Sequence, residues 1–474
     1  MNSYYHRLIT VVIAACSLTI ASAQIERNAA FRSQYQLEEV VVLSRHNIRS
    51  PMSGPESALG RITPHQWFAW TSAPSELSLR GGVLETEMGQ FFRKWLVSEG
   101  LMQENEQPAQ GAFRFYANSM QRTIATAQYF SSGMLPVANV SIEHHYDVGT
   151  MDPTFTPKWT SDSDELQSEA IQQITDIFGD TTLEGIGEKM RENYDLLQEV
   201  LDMDQSAACT QGDTCSFRTD NTEIVLQMDK EPGMKGDMKL ACQAADALVL
   251  QYYEEPDEQK AAFGHQLSRS DWKKISAAKD YYGDVLFTAP LVAINVAHPL
   301  LQELLTELKT DGRTFAFLCG HDSNIGSVLA ALGVNDYDLP DAIEAKTPIG
   351  CKFVIEKWLG SDGKEYAALN MVYQTVDQLR QMPLLSLDNP PAVYPLALEG
   401  LTANADGLYL LSDLEQRFKE RIEAYDQAPT AIRTAATEGN SRQAAIYDLQ
   451  GRRLDNASQK SGIYIKDRQK VIMK

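Results

Sequence analysis

The stretch L-E-E-V-V-V-L-S-R-H-N-I-R-S-P at residues 37–51 runs from an apolar segment directly into two arginines that flank a histidine. Residues 37–43, which end in the apolar run V-V-V-L, predict a buried strand. Arginine keeps its charge in proteins, so Arg45 and Arg49 repel each other and hold His46 in a positive field. The stretch therefore predicts a strand that leads into a binding site for an anion.

The composition is that of a folded globular protein, and the charge limits its partners. The chain has 474 residues, of which 43% are hydrophobic and 22% charged, enough for two domains or for one domain with a large insertion. The formal net charge is -22, whereas nucleic acids and anionic membranes both require a basic face. We therefore expect no nucleic-acid partner, and an anion bound only by a local basic pocket.

The N-terminal residues 1–23 have the pattern of a cleavable secretory signal. Arg7 lies in a short polar start, an apolar run follows, and A-S-A at residues 21–23 forms the cleavage site. One alternative is a lipoprotein processing site that would leave Cys16 lipidated. No later stretch approaches about 18 uninterrupted apolar residues, so we expect no membrane span and a periplasmic or secreted mature chain.

The cysteines also bear on export, because an oxidising compartment allows disulfides. Those that follow the signal are Cys209, Cys215, Cys242, Cys319 and Cys351. Cys209 and Cys215 flank a turn-like T-Q-G-D-T, and we predict a disulfide between them. The odd count leaves at least one free thiol. The other three are expected to be buried small side chains, and no cysteine–histidine spacing indicates a zinc site.

Strands and helices alternate along most of the chain, which is typical of an α/β fold. The predicted elements are strands at 113–117, 313–319, 349–358 and 366–374, and an amphipathic helix at 80–98. A second helix follows the strand at 113–117, with Asn118 or Ser119 as its cap.

The alternation is interrupted between about residues 150 and 290, where polar amphipathic helices with acidic faces are predicted. We therefore expect an α/β core formed by residues 24–149 and 291–428, with a mostly helical insertion at 150–290. Residues 429–474 are basic and alternate like short hairpin strands, which indicates a separate β appendage. This appendage resembles C-terminal modules that serve sorting or attachment in exported proteins of some Gram-negative bacteria.

Polar side chains follow three of the predicted strands. They are Arg45, His46 and Arg49 after the first strand, Arg122 after the second, and His321 and Asp322 after the strand at 313–319. Ligands of α/β sheets gather beyond the carboxyl ends of strands, where loops and helix N-termini meet. All three groups are therefore expected in one cleft.

These residue types suit the hydrolysis of a phosphate monoester. The guanidinium groups of Arg45, Arg49 and Arg122 would neutralise the phosphate oxygens. His46 would be the nucleophile and Asp322 the acid for the leaving alkoxide, with no metal or cofactor required. Each motif alone has a plainer explanation, since R-H pairs are usually surface features and H-D before a helix is often a cap. Their conjunction favours catalysis.

The chain resembles the histidine acid phosphatases, whose motif is R-H-G-x-R-x-P near the N-terminus and H-D near the C-terminus. The matching segments include S-R-H-N-I-R-S-P, Y-A-N-S-M-Q-R-T-I-A-T-A-Q-Y-F, V-G-T-M-D-P-T-F, E-P-G, L-Q-Y-Y-E, G-H-D-S-N-I and T-P-I-G. Within the family the similarity is narrower to the bacterial periplasmic glucose-1-phosphatases, in which an asparagine likewise replaces the motif glycine, as Asn47 does here.

The resemblance implies a phosphoglycerate-mutase-like α/β core with an inserted helical domain. It also implies a phosphohistidine at His46, proton donation by Asp322, and phosphate binding by the three arginines and His321. Glu231, in the E-P-G segment, matches an acid that stands at the entrance of the site and narrows substrate choice. The exposed-loop explanation of Glu231 stays open.

The implied activity is that of a secreted acid phosphomonoesterase for sugar phosphates, with glucose 1-phosphate as the first expected substrate. An inositol-phosphate phosphatase, or phytase, is the alternative within the same chemistry. A sugar-phosphate binding protein without turnover is the alternative from another class, and the joint presence of His46 and Asp322 disfavours it.

Overall fold

The computed structural model describes residues 27–54 and 56–427, together with four short strands beyond them. The predicted signal at residues 1–23 and the alternative lipidation site at Cys16 lie outside the described residues.

The helices and strands are as follows. The helices are α1 (Ala29–Gln34), α2 (Ala58–Arg61), α3 (Leu79–Ser98), α4 (Gln121–Met134), α5 (Asp164–Phe178), α6 (Leu183–Glu188), α7 (Arg191–Val200), α8 (Ala207–Thr210), α9 (Asp237–Glu254), α10 (Glu258–Ala261), α11 (Arg269–Phe287), α12 (Pro290–Leu308), α13 (Asp322–Leu332), α14 (Val376–Gln381) and α15 (Leu411–Gln427), with a 3-10 helix at Met203–Gln205. The strands are β1 (Tyr35–Arg45), β2 (Phe113–Ala117), β3 (Glu223–Val225), β4 (Gly233–Lys235), β5 (Phe315–Gly320), β6 (Lys352–Gly360), β7 (Glu365–Tyr373), β8 (Ala392–Pro395), β9 (Tyr409–Leu410), β10 (Ile446–Tyr447), β11 (Arg453–Leu454), β12 (Gly462–Lys466) and β13 (Gln469–Met473).

The main sheet is mixed, and β1 lies near its centre. It has 7 strands in the order β2-β5-β1-β6-β7-β8, with β9 paired to β7. The strands β2, β5 and β1 are parallel, whereas β1-β6, β6-β7 and β7-β8 are antiparallel. The strands predicted from the sequence are all present, and the predicted α/β class is confirmed. The antiparallel half contains the strands that were predicted at 349–358 and 366–374, which are β6 and β7.

The side chains of β1 alternate between two hydrophobic cores. Val40 and Val42 pack on the side of α3 and α4, and Val41 and Leu43 pack on the side of α12 and α13. A strand that is buried on both faces needs an apolar residue at every position. This explains why the four residues that precede Ser44 and Arg45, at positions 40–43, are all apolar.

The region between α4 and α12 is mostly helical, as predicted, and has its own hydrophobic core. Trp272, Leu248 and Ile174 belong to that core, and the only strands described in the region are the hairpin β3-β4. Cys209 and Cys215 form a disulfide at its surface. The domain limits at residues 150 and 290 stay a prediction.

The remaining cysteines differ in their surroundings. Cys319 and Cys351 are buried, as expected, whereas Cys242 is half-buried and lines a cavity of about 940 Å³. Among the helices of the described residues, no single one is long and apolar enough to cross a membrane. Helices α11 and α12 meet the requirements of length and composition only as a pair, which is bent by 86°.

The strands β10 to β13 form a four-stranded antiparallel sheet in the order β11-β10-β12-β13. These strands fall in the segment 429–474, where hairpin strands were expected. The linker and the turns of that segment lie outside the described residues, and its role stays a prediction.

Candidate active site

The carboxyl ends of β1, β5 and β2 meet at one edge of the sheet. Both β1 and β2 pair in parallel with β5, and their registers place Ser44 and Ala117 on either side of Cys319. Two backbone bonds continue the pairing past the strand ends, from His46 N to Gly320 O at 3.0 Å and from Asn118 N to Cys319 O at 2.9 Å. The segments that carry the predicted site residues are therefore adjacent.

Most of the predicted site residues line one cavity of about 940 Å³. They are His46, Arg49, Arg122, Glu231, His321 and Asp322. Arg45 is 1% exposed and lies behind the cavity wall, where its Nη2 is 3.2 Å from Oδ2 of Asp322. The expectation of a single cleft agrees with this geometry.

His46 is held as a neutral ring with one nitrogen free. Its Nδ1 is 2.9 Å from the backbone oxygen of Asn47, and because a carbonyl only accepts, Nδ1 must carry the hydrogen. Nε2 is then left with its lone pair. Burial, followed by the charges of Arg122 and Arg49, lowers the pKa of His46 well below its usual value. His46 therefore remains unprotonated in acid, as a nucleophile must.

His321 is also neutral, and its orientation follows from Asn118. The amide Nδ2 of Asn118 donates to Nε2 of His321 at 2.7 Å, while Oδ1 of Asn118 accepts from the backbone N–H of Asp152 at 2.9 Å, which fixes the amide. Since Nε2 accepts, the hydrogen is on Nδ1, which lies 3.5 Å from Nη2 of Arg122. A phosphate oxygen could accept from both donors at once. Burial and Arg122 lower the pKa of His321.

The assignment of Asn118 or Ser119 as a helix cap was wrong. Helix α4 begins at Gln121, and Met120 is its N-cap, without a side-chain hydrogen bond. Asn118 is used instead to hold His321, and Oγ of Ser119 accepts from the backbone N–H of Tyr146. Both side chains serve distant segments, which no local capping rule can detect.

Each of the three arginines contains a buried N–H donor without a partner among the described residues. Arg45, Arg49 and Arg122 are each 5% exposed or less. In each case this donor is the Nε–H. Burial and Arg49 lower the pKa of Arg122 to about 10, so that it stays charged in acid and at neutral pH. Buried unpaired guanidinium donors are costly, and an anion that accepts from them would satisfy the set.

Asp322 begins α13 and lies against the cationic group. Its Oδ1 accepts from the backbone N–H of Ser323 at 2.9 Å, and its other oxygen pairs with Arg45. Burial alone would raise the pKa of Asp322, but Arg45 and Lys279 outweigh it, and the net pKa lies below its usual value. In the free site Asp322 is a carboxylate, so a proton donor at this position requires that an anion first reduce the positive field.

A buried ion cluster behind Arg45 was not predicted from the sequence. Glu344 accepts from Nη1 of Arg45 at 2.5 Å, and Nζ of Lys279 lies 3.0 Å from the same carboxylate. The hydroxyl of Tyr253 donates to it at 3.2 Å. Burial raises the pKa of Glu344, but Arg45 and Lys279 bring it down to about 2. Glu344 therefore fixes the guanidinium of Arg45 in place. The charged pair E-A-K before T-P-I-G is too common a pattern to have revealed it.

A second buried polar group supports the motif from below. Nδ2 of Asn47 donates to Oε1 of Glu85 at 2.8 Å, and Nζ of Lys352 is 3.1 Å from the same oxygen. Gly350 adopts a φ of +70°, and a Cβ there would lie 2.4 Å from Nδ2 of Asn47. Glycine is therefore required at the end of T-P-I-G by the close approach of Asn47 as well as by its backbone.

Glu231 lies between Lys230, which forms a backbone bridge with Trp159, and the strand β4. Its side chain lines the same cavity as His46 and Arg122. Glu231 is an exposed residue of the cavity wall, so the exposed-loop explanation is correct as to its solvent accessibility. Partial desolvation raises the pKa of its carboxyl, while Lys158 and Arg122 oppose that rise. Because Glu231 interacts electrostatically with Arg122, its carboxylate would also repel an anion that is bound by Arg122.

The described residues offer one group of side chains with the spacing of a metal site. It consists of His65, Asp202 and His265, none of which lines the cavity.

The chain is similar to known proteins over most of its length. The family model described as the histidine phosphatase superfamily (branch 2) matches residues 36–374. The chain is 36% identical to glucose-1-phosphatase of Salmonella typhimurium over 404 residues. The aligned region covers 84% of this chain and 95% of that protein. It is 35% identical over 393 residues to glucose-1-phosphatase of Providencia rettgeri, covering 82% and 92%. The phytase of Hafnia alvei in complex with tartrate is similar in structure, with a TM-score of 0.76 at 27% identity over 84% of this chain and 100% of that one.

The family match extends from β1 to the residue that follows β7. It therefore includes β1, β2 and β5, whose carboxyl ends lie at the cavity. The curated relatives are similar to this chain over nearly their whole length. The chain belongs to branch 2 of the histidine phosphatase superfamily and is a histidine acid phosphatase.

Proposed function

We propose that this chain hydrolyses glucose 1-phosphate through a phosphohistidine intermediate on His46. The observation that carries the proposal is the neutral His46, with its Nε2 lone pair free, in a cavity that it shares with Arg49, Arg122 and Asp322. The choice of substrate rests on the similarity to two glucose-1-phosphatases.

In the first step Nε2 of His46 attacks phosphorus, and the bond from phosphorus to the ester oxygen breaks. The arginines and the Nδ1–H of His321 stabilise the equatorial phosphoryl oxygens. Asp322 gives its proton to the departing sugar oxygen. The proton is available because the phosphate anion between the guanidinium groups offsets their field and raises the pKa of Asp322.

In the second step a water molecule gives a proton to the Asp322 carboxylate and attacks phosphorus. The bond from phosphorus to Nε2 breaks, inorganic phosphate leaves, and His46 returns to its neutral form. Asp322 has then recovered the proton it gave away. The requirement for protonated Asp322 in the first step favours activity at acidic pH.

Glu231 favours substrates with a single phosphate. Its carboxylate shares the cavity with Arg122 and interacts with it. A substrate that carries several phosphates would bring extra negative charge toward Glu231 once one phosphate is bound by the arginines. Repulsion of the wrong substrate is a general source of specificity.

A panel of phosphate-release assays tests the proposal. The wild-type chain should prefer glucose 1-phosphate over glucose 6-phosphate and inositol hexakisphosphate. The Glu231→Gln variant should raise the ratio of activity on inositol hexakisphosphate to activity on glucose 1-phosphate, and the change should be larger at low ionic strength because salt screens exposed charges.

The matched control is Glu223→Gln, which removes an exposed carboxylate of β3 that pairs with Lys235 and does not line the cavity. It should leave the ratio unchanged. A wild-type preference for inositol hexakisphosphate would assign the chain to the phytase alternative. An unchanged ratio in Glu231→Gln at low salt would exclude the gating role of Glu231.

We also propose that the mature chain is exported to the periplasm. The pattern of residues 1–23 and the disulfide between Cys209 and Cys215 support this, because disulfides persist in oxidising compartments. Mass spectrometry of the N-terminus of the mature protein should find Gln24. A lipid-modified Cys16 would show the lipoprotein alternative instead.

A further inference from the structure

We propose that His65, Asp202 and His265 form a binding site for a transition-metal dication such as Zn²⁺, separate from the catalytic cavity. Nε2 of His65 lies 2.6 Å from Oδ2 of Asp202, and Nε2 of His265 lies 3.2 Å from the same oxygen. One potential ligand atom from each of the three residues lies within 4.8 Å of the others.

The three side chains come from segments that are far apart in the sequence. His65 lies in the connection between α2 and α3, Asp202 directly precedes the 3-10 helix, and His265 lies in the turn between α10 and α11. Sequence separations of 137 residues from His65 to Asp202 and 63 residues from Asp202 to His265 conform to no local metal motif. No metal site was therefore expected from the sequence, and only the fold brings these side chains together.

The backbone and one aromatic ring hold the ligands in orientation. The ring of Phe263 stacks on His65 with centroids 4.8 Å apart and planes 14° from parallel, which fixes the plane of that imidazole. Asp202 has a φ of 45° and Phe263 a φ of 53°, both in the left-handed region that non-glycine residues seldom adopt. Strained backbone that positions polar side chains is a common property of functional sites.

The ligand set selects the class of metal. Two neutral imidazoles and one carboxylate suit Zn²⁺, Co²⁺ or Ni²⁺ and not Mg²⁺ or Ca²⁺, which prefer oxygen ligands. In a tetrahedral site with bonds of about 2.0–2.1 Å, ligand atoms are roughly 3.3 Å apart. The separations of 2.6 and 3.2 Å from Asp202 would have to open by less than about 1 Å to reach that geometry. The two imidazole nitrogens, which lie within 4.8 Å of each other, would have to approach by at most about 1.5 Å.

The remaining coordination position is open to solvent. The side chains of His65, Asp202 and His265 are 29%, 26% and 26% exposed, so water can complete the coordination and the metal can enter without unfolding. A metal held here would tie the segment that follows the R-H-N-I-R motif to the helical region. Its expected effect is stabilisation of the native state and not phosphoryl transfer.

Metal titration of the chelator-treated full chain near neutral pH tests the proposal. Calorimetry with Zn²⁺ should reveal a binding site that is lost in Asp202→Asn and in His265→Gln, and Zn²⁺ should raise the melting temperature of the wild type but of neither variant. Asparagine tolerates a positive φ, so Asp202→Asn removes the anionic ligand without disturbing the backbone. Co²⁺ should produce the visible absorption of a tetrahedral centre in the wild type only.

The matched control is His144→Asn, which removes an exposed histidine whose ring hydrogen-bonds to the backbone oxygen of Tyr146. It should keep the binding event, the rise in melting temperature and the Co²⁺ spectrum. If Zn²⁺ bound to the catalytic histidines instead, the Asp202→Asn and His265→Gln variants would still bind it. Equal Zn²⁺ binding by the wild type and these variants, or an equal rise in melting temperature with Mg²⁺, would overturn the proposal. Hydrolysis of glucose 1-phosphate by Asp202→Asn should match the wild type without added metal, so failure of the metal site and failure of the proposed phosphatase function are distinguished.

Discussion

Single residues of the site owe their protonation states to their hydrogen-bond partners and to the surrounding charges. His46 donates from Nδ1 to its own segment and keeps Nε2 free, whereas His321 accepts at Nε2 from Asn118 and keeps Nδ1–H free. The same residue type therefore supplies a nucleophile at one position and a hydrogen-bond donor at the other. Asp322 differs from both, because its role as an acid depends on the charge of the bound substrate.

Replacement of Asp322 by asparagine should separate the two steps of the reaction. Hydrolysis of glucose 1-phosphate should fall on the order of 10²–10⁴-fold, because its sugar alkoxide must be protonated to leave. Hydrolysis of p-nitrophenyl phosphate should be limited only by the second step, so an initial burst of nitrophenol is expected. With labelled p-nitrophenyl phosphate and an alkaline quench, Asp322→Asn should carry label on His46.

The control is His46→Ala in the same Asp322→Asn background, which should carry no label. If the initial burst of nitrophenol were lost together with the hydrolysis of glucose 1-phosphate, Asp322 would act through the structure and not as an acid, because the first step with p-nitrophenyl phosphate needs no protonation. Label on any residue other than His46 would contradict the assigned nucleophile.

Among the elements, α3 and β6 are joined under the motif by a fully buried ion pair. Glu85 and Lys352 are both 0% exposed, and Nζ of Lys352 also donates to Oγ of Ser44 at 3.1 Å and to the carbonyl of Gly350 at 2.9 Å. Because Glu85 in turn holds Asn47, the pair connects a helix and a strand to the segment that carries His46.

The Lys352→Met variant should lose about 3–5 kcal/mol of unfolding free energy, because it leaves the Glu85 carboxylate buried without its partner. Urea unfolding followed by circular dichroism measures this change. Adding Glu85→Gln to Lys352→Met should recover part of the loss, since the uncompensated charge is then gone. Lys364→Met, in the exposed turn between β6 and β7, should cost less than about 1 kcal/mol. A double variant no more stable than Lys352→Met would show that the loss comes from packing and not from charge.

The pH response of the whole molecule contains opposing contributions. Burial and the arginines lower the pKa values of His46 and His321, so their contribution to stability is lost as the pH falls below about 6.5. Glu39 acts in the opposite direction. It is 3% exposed, and burial raises its pKa from 4.5 to about 8 against the weaker effect of Lys357.

The Glu39→Gln variant should become more stable relative to the wild type as the pH rises from 5 to 8. In the folded wild type Glu39 stays protonated up to about pH 8, whereas in the unfolded chain it ionises near 4.5, so the wild type loses stability across that interval. Melting temperatures of both proteins over this range measure the effect. Glu38→Gln, at the half-exposed neighbouring position, should show a constant difference from the wild type. A constant difference for Glu39→Gln would mean that Glu39 is ionised in the folded state.

The sequence by itself determined the features that depend on neighbouring residues. The apolar run of β1, the amphipathic pattern of α3 and the short loop between Cys209 and Cys215 each predicted an element or bond that the structure contains. The positions of the R-H-N-I-R and H-D motifs after predicted strands also indicated that they share one cleft, because parallel strands end at the same edge of a sheet.

Only the tertiary structure decided the partners of buried charges. Arg45 and Glu344 are 299 residues apart in the sequence, and His65 and Asp202 are 137 apart, so no local periodicity relates them. The helix cap assigned to Asn118 was wrong for the same reason, since its side chain bonds His321 across the sheet. Local patterns report which residues are buried, but which polar groups meet there depends on how distant segments pack and on the need to pair every buried charge.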